Sequence, residues 1–364
     1  MTNVLIAGAG PTGLAAALFL AERGIESRVV EEKLEPSPFS KAFGVNPRTL
    51  ELLENTGVTE KLLAQGWRMS ALNLWQNNRR LLRLDFSSLD HRFPFMLINS
   101  QAKTEALLTE AVLQRGVQIE RGVKLEQVEA SQNQATATLR NGDGRSATAT
   151  ASCLLGADGS HSTVREKLDI GFPGSAYEEA WQLYDVALDV PLPRDEAHAF
   201  LLDGGAMFMV RLEDDVWRVL GNVPDLLNHL PQDTRTGKVE WESDFGISHR
   251  LAEHFQKGCV CLAGDAAHIH SGLGARGMNL GIEDAYVFAA LVAEGRLEDY
   301  ERLRRSVVKS VIQTVERMTE VPRGRSLLAK AARTVAPVLA PFAPFVTGSA
   351  SKWILGLDHK VSVA

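Results

Sequence analysis

Residues 3–13 read Asn-Val-Leu-Ile-Ala-Gly-Ala-Gly-Pro-Thr-Gly, and the fold turns on them. Residues 3–7 form a short apolar run of strand length. Gly8, Gly10 and Gly13 follow at the spacing G-x-G-x-x-G. Residues 11–23 read as a helix, with Leu14, Ala17, Leu18 and Ala21 on one face, and Gly24 stops it. Residues 27–30 read as a second strand, ending at Glu31 and Glu32. Strand, glycine turn, helix and strand within about 30 residues open a doubly wound sheet. The first glycine makes the tight turn, the second lets backbone N–H groups approach a pyrophosphate, and the third lets the helix pack on the strand. The helix N-terminus adds unpaired donors and a positive dipole end. A carboxylate at Glu31 is placed to accept hydrogen bonds from a ribose. The pattern points to dinucleotide binding; the plain alternative is a tight strand-helix turn without a ligand.

Outward from this unit, a Pro- and Ser-rich loop covers residues 36–40, and helices are expected over 47–53 and 101–114, the latter closed by Gly116. Residues 117–155 carry short alternating runs, and Asn141-Gly142 between two of them signals a hairpin. Residues 176–250 are strand-like and rich in Trp, Phe and Met, and the pattern turns helical after 280. No internal repeat and no Pro/Gly linker divides the chain, so two interleaved domains are expected. The 364 residues agree with that, at roughly 150 per domain.

Composition narrows the function. Lys plus Arg is 39 and Asp plus Glu 45, a net charge of −6, which argues against nucleic acid as a partner. Hydrophobic residues make up 45%, enough for a real core, and three cysteines make no disulfide framework. Val4–Ile6 runs into glycines, not into a cleavage site, and no apolar stretch reaches the roughly 18 residues of a spanning helix. A reducing cytoplasm is therefore the expected location.

Two further segments follow apolar strands. One is Gly156-Ala157-Asp158-Gly159-Ser160-His161-Ser162-Thr163-Val164-Arg165. The other is Leu262-Ala263-Gly264-Asp265-Ala266-Ala267-His268, continuing through Gly272, Gly274 and Gly277 to Met278-Asn279-Leu280-Gly281-Ile282-Glu283-Asp284-Ala285. The second is a glycine-rich loop opening a helix, a dipole-binding site in its own right.

With three motifs in this order, the chain from residue 3 to about 290 resembles the single-component FAD-dependent aromatic hydroxylases, the para-hydroxybenzoate hydroxylase-like flavoprotein monooxygenases. The resemblance implies a mixed α/β fold: a Rossmann-like FAD-binding domain from residues 1–70, 98–175 and 251–300. An interleaved β-sheet substrate domain would use 71–97 and 176–250, and 301–364 would form C-terminal helices. It implies that Gly8, Gly10, Gly13 and Glu31 hold the ADP half of FAD. Lys41 stands where arginine is commoner, near the flavin or its phosphates. Gln101 matches a glutamine that touches FAD, and Asp265 an aspartate that binds the ribityl hydroxyls. The Asp158 segment would serve FAD and NAD(P)H together, with His161 and Arg165 on the nicotinamide cofactor's phosphates. The turn from Gly274 through Arg276, Gly277 and Met278 to Asn279 would lie against the flavin ring, its N–H groups and helix dipole facing the N1–C2=O edge. Ser271 and Gly272 replace prolines common in relatives, which leaves the flavin-proximal loop less restrained.

The implied activity is NAD(P)H- and O₂-dependent hydroxylation of a small aromatic or polycyclic substrate through a C4a-hydroperoxyflavin. The alternatives are a flavin oxidoreductase of the same fold that reduces, dehydrogenates or epoxidises, and a non-catalytic FAD-binding protein. No nucleophile-base pair and no metal site is read. Cys259 and Cys261 are expected as buried thiols, and His268 as structural or flavin-proximal. Two or three of Trp181, Tyr184, His198, Phe208, Met209, Arg211 and Trp217 would line the substrate pocket. Arg302–Arg305 reads as a solvated helix face. The proline-punctuated apolar segment 326–358 would close over the flavin domain or pack a homodimer, with peripheral membrane contact the weaker alternative.

Overall fold

A computed structural model describes residues 2–36, 42–272, 275–323 and 344–363. The expected opening unit is present as strand Thr2–Ala7, helix Pro11–Ala21 and strand Ser27–Glu31. Its strands pair in parallel, and the sheet continues in parallel to Ile119–Arg121 on one side. On the other side lie Ser146–Gly156 and then Val260–Leu262, also parallel. All three motifs thus leave the same end of one parallel sheet, where a doubly wound fold binds its ligands.

The helix Pro11–Ala21 departs from the one-faced reading. Gly13 through Leu20 are all buried, because the helices Gln101–Gln114 and Arg276–Glu294 cover both of its free sides. The hairpin also differs in detail. Strand Ala135–Asn141 pairs with the first half of Ser146–Gly156, but the turn is longer than Asn-Gly, with Gly144 at φ 84°.

A second, largely antiparallel sheet stands against the first. Its order is His268–Ile269, Arg235–Leu251, Gly174–Asp189, Val216–Gly221, Gly205–Glu213, Glu196–Leu202, Ala71–Gln76 and Arg79–Asp85. The short strand His268–Ile269 follows directly on the Gly264–Ala266 turn and pairs with Arg250 and Leu251. One motif therefore serves both sheets and fixes how the second faces the first.

The described end of the chain, helix Pro344–Ile354 and the residues after it, packs on this junction. Trp353 is buried with Leu280, Val311 and Val315. Leu355 is buried beside Phe43 and Met69. Residues 324–343, most of the apolar segment singled out above, lie outside the described residues. Among the described residues no helix is long and apolar enough to cross a membrane.

Candidate active site

The glycine turn is built by exclusion. Gly8 has φ +105°, and a Cβ there would sit 2.3 Å from the Ala157 carbonyl oxygen. A Cβ on Gly13 would lie 2.0 Å from the Gly8 carbonyl oxygen. A Cβ on Gly10 would meet nothing within 4 Å, so its backbone faces open space. Glu31 holds the turn from the far side: its carboxylate accepts from Ala9 N at 2.8 Å and Lys33 N at 2.9 Å. Ionised, it keeps lone pairs free for a ribose.

This turn borders a groove of about 750 Å³, also lined by Glu31, Gln101, Asp158, His161, Asp265, Gly277 and Met278. Asp265 is exposed to the groove, with no side-chain partner among the described residues, and desolvation by the surrounding groove walls pushes its carboxyl pKa up. A carboxylate so placed waits for hydroxyl donors. Backbone donors at one end, this acceptor at the other and the space between them fit FAD.

A second chamber of about 850 Å³ adjoins the groove. The two share Gln101, Ser160, His161, Asp265, Gly277 and Met278. One wall is apolar, with Phe43, Leu183, Leu220, Phe245 and Ile247; the other carries Arg165, His270, Ser271, Gly272 and Arg276. None of the seven pocket candidates from residues 181–217 lines it. Trp217, Met209 and Tyr184 pack in the core on the sheet's other side. Alternation along each strand decides which residues face the chamber, and the sequence does not show which face that is.

The remaining site candidates divide. Asp158 braces the start of the short helix Thr163–Lys167, accepting from the capping Ser162 Oγ at 2.6 Å and from Val164 N at 3.0 Å. Arg165 is buried, donates to the carbonyls of Ala266 and Ser160 at 3.0 Å each, and lies over the Phe172 ring. Asn279 lines neither space. It ties the helix start to the strand Gly44–Val45 and helix Pro47–Leu53, through Gly44 O, Asn46 N and Thr49 Oγ1. Lys41 and Gly274 lie outside the described residues.

One feature escaped sequence reading. Arg304 is not on a solvated face: it is buried, with Nε 2.7 Å from Asp284 and Nη2 3.2 Å from Glu283. The four-residue run turns past one helical turn, so one member points inward while Arg302 stays outside with Asp299. Asp284 also accepts from Gly264 N at 3.0 Å and lies 2.7 Å from His268 Nε2. Burial raises the Asp284 carboxyl pKa, but Arg304 and His268 outweigh it and hold the group low. Glu283 reaches His359 Nε2 at 2.8 Å, His359 Nδ1 reaches Asp358 at 3.3 Å, and Asp358 reaches Arg276 at 3.0 Å. A continuous chain of charges thus runs from the Gly264-Asp265 turn to the chamber wall. Only the adjacent acids Glu283-Asp284 within an apolar helix hinted at it.

Known sequences and structures agree with this geometry. The profile of the FAD binding domain family matches residues 1–215 and 221–315. The chain belongs to that family, among its flavoprotein aromatic hydroxylases. It is 34% identical over 359 residues to a 6-methylpretetramide 4-monooxygenase of Streptomyces rimosus, covering 93% of this chain and 64% of that protein. It is 31% identical over 349 residues to a pentachlorophenol 4-monooxygenase of Sphingobium chlorophenolicum, covering 88% and 65%. The chain thus spans just under two thirds of these curated relatives. An anhydrotetracycline hydroxylase from Streptomyces rimosus superposes with a TM-score of 0.82 at 31% identity, covering 98% of this chain and 76% of that one.

Proposed function

We propose that the chain is an FAD-dependent monooxygenase that uses NAD(P)H and O₂ to hydroxylate a small aromatic or polycyclic substrate in the cytoplasm. The observation that carries this is the shared wall: a polar dinucleotide groove opens at Asp265, Gly277 and Met278 into a half-apolar chamber. FAD in the groove supplies hydride acceptance and oxygen activation. The glycine turn, Glu31 and Asp265 bind and orient it. The start of helix Arg276–Glu294 lies at the junction with no side-chain cap among the described residues, its first-turn N–H groups suited to negative charge on the flavin. Phe43, Leu183, Leu220, Phe245 and Ile247 exclude water and face the substrate ring. His161, on the rim between both spaces, and Arg165 are assigned to the nicotinamide cofactor's phosphates. The buried free thiols Cys153, Cys259 and Cys261 suit a reducing compartment.

The test is direct. Purified protein loaded with FAD should oxidise NAD(P)H faster on addition of a phenol from a panel, and the product should gain one oxygen atom by mass. Protein that takes up no FAD ends the reading. Protein that turns over NAD(P)H without ever oxygenating a panel member favours the non-hydroxylating oxidoreductase.

A further inference from the structure

Asp265 reaches the groove with an exposed carboxylate that meets no protein side chain among the described residues. The backbone that carries it therefore sets where the carboxylate points. That backbone is packed without slack. Gly264 has φ +58°, and a Cβ there would lie 2.5 Å from Thr12 Oγ1 in the first glycine turn. A Cβ on Gly281, in helix Arg276–Glu294, would lie 2.2 Å from the same oxygen. The Gly264 turn, the glycine motif and the helix thus converge on Thr12.

One side chain ties the turn down on both sides of Asp265. Asp284, one helical turn beyond Gly281, is fully buried. Its Oδ2 accepts from Gly264 N, just before Asp265, at 3.0 Å. The same oxygen lies 2.7 Å from Nε2 of His268, just after the turn. The main chain adds one bond within the turn, from Ala267 N to the Gly264 carbonyl at 2.9 Å. Asp284 Oδ1 lies 2.7 Å from Arg304 Nε, so the carboxylate cannot leave the turn without also loosening a buried ion pair. Asp284, His268 and Arg304 line neither the groove nor the chamber. Whatever they do for a ligand, they do through the turn.

We infer that Asp284 is a positioning residue for the cofactor: it locks the Gly264–His268 turn to helix Arg276–Glu294 and so aims the Asp265 carboxylate at the ribityl hydroxyls of FAD. This rests on the groove being the FAD site. The ADP half of FAD is assigned to the glycine turn and Glu31, so the two halves of the cofactor separate the possibilities. Loss of the lock weakens what Asp265 binds and spares what it does not. A residue that only stabilised the fold would affect both halves alike, or neither.

The test titrates the full chain with FAD, by flavin fluorescence, and with ADP, by its competition against FAD. Asp284→Asn keeps the shape but has one acceptor oxygen in place of two. It should bind FAD about 10-fold more weakly, within the share assigned to Asp265, and ADP within about 2-fold of the unaltered protein. In an Asp265→Ala background the same change should cost almost nothing further, because no carboxylate is left to aim. Leu188→Ala, a core truncation in the second sheet, should lower the melting temperature and leave both affinities in place. His268→Gln loosens one side of the turn and leaves Arg304 paired. It should show the same pattern at smaller size, and it carries the test if Asp284→Asn does not fold. Unchanged FAD affinity, equal losses for FAD and ADP, or the same FAD loss with and without Asp265 would overturn the inference. The cofactor reading fails separately: if Asp265→Ala alone leaves FAD affinity unchanged, that reading falls and this inference with it. If Asp265→Ala weakens FAD and Asp284→Asn adds to it independently, only this inference falls.

Discussion

The groove and the chamber share a wall but are made of different material. The groove is shaped mainly by the main chain. Gly8 and Gly13 act by lacking side chains, and Glu31 acts by accepting from Ala9 N. The chamber is made of side chains drawn from Phe43, Leu183, Leu220, Phe245, His270 and Arg276, spread over more than 230 positions (276 − 43 = 233). Behind its polar wall stands the charge chain from Arg276 through Asp358, His359, Glu283 and Arg304 to Asp284. A surface made of main chain is specified by local spacing. A surface made of side chains needs the whole fold before it exists.

The largest expected effect tests how far the chamber side depends on that chain. Arg304 is 1% exposed and is the cation between two fully buried carboxylates. Burial lowers its pKa, but Asp284 and Glu283 outweigh this and hold it raised. Removing one partner of a buried pair leaves an uncompensated charge and costs about 3–5 kcal/mol. Arg304→Ala should therefore lose stability on that scale in urea unfolding at neutral pH. Arg302→Ala, one turn-face away and 62% exposed, should cost under about 1 kcal/mol. Equal, small effects from both would show that the charge chain is not what supports the wall.

Asp265 tests the groove side. Among the described residues its carboxylate has no side-chain partner to lose, so Asp265→Ala should leave the melting temperature of the FAD-free protein nearly unchanged. A hydrogen bond to a charged group is worth about 1.5–3 kcal/mol, so FAD affinity should fall roughly 10- to 150-fold. Titration of FAD-free protein, followed by flavin fluorescence, measures it. Unchanged affinity in a folded variant would remove Asp265 from the cofactor site and with it the reading of the shared wall.

The same contrast explains what the sequence made legible. The opening βαβ unit, the long helices and the three motifs were readable because each rests on spacing within some 30 residues. The sheet that carries the apolar wall was readable as strand but not as a surface. Leu183 faces the chamber and its neighbour Tyr184 packs on the opposite side, and a shift of one residue in register would exchange them. Arg304 looked like part of a charged surface run because its partners, Asp284 and Glu283, lie 20 and 21 residues away on another helix. Asn279, in a turn read for its backbone N–H groups, spends its side-chain oxygen and amide on segments more than 200 residues earlier and on its own helix start. A motif fixes where residues lie along the chain, and packing decides which of them face the ligand.

The smallest expected effect concerns the link that joins the two ends of the charge chain. Both ring nitrogens of His359 face carboxylate oxygens, Nε2 that of Glu283 and Nδ1 that of Asp358. Ionised carboxylates only accept, so a protonated ring donates to both. Burial lowers its pKa, but the hydrogen bonds to Asp358 and Glu283 outweigh that and leave it raised. Arg276 beyond Asp358 and Arg304 beyond Glu283 are the other charges on its two partners, and Arg48 donates to its carbonyl oxygen at 3.2 Å. A group whose folded pKa is raised stabilises most below its unfolded value, near 6.5 for histidine, and that stability is lost as pH rises through the folded value. Docking of the chain's end, with Trp353 and Leu355, should therefore loosen from neutral into mildly alkaline pH. The melting temperature should drift down across that window by about 2 °C, and His359→Gln should start lower and flatten the drift. A drift that survives unchanged in His359→Gln belongs to another group and breaks the link between the chain's end and the chamber wall.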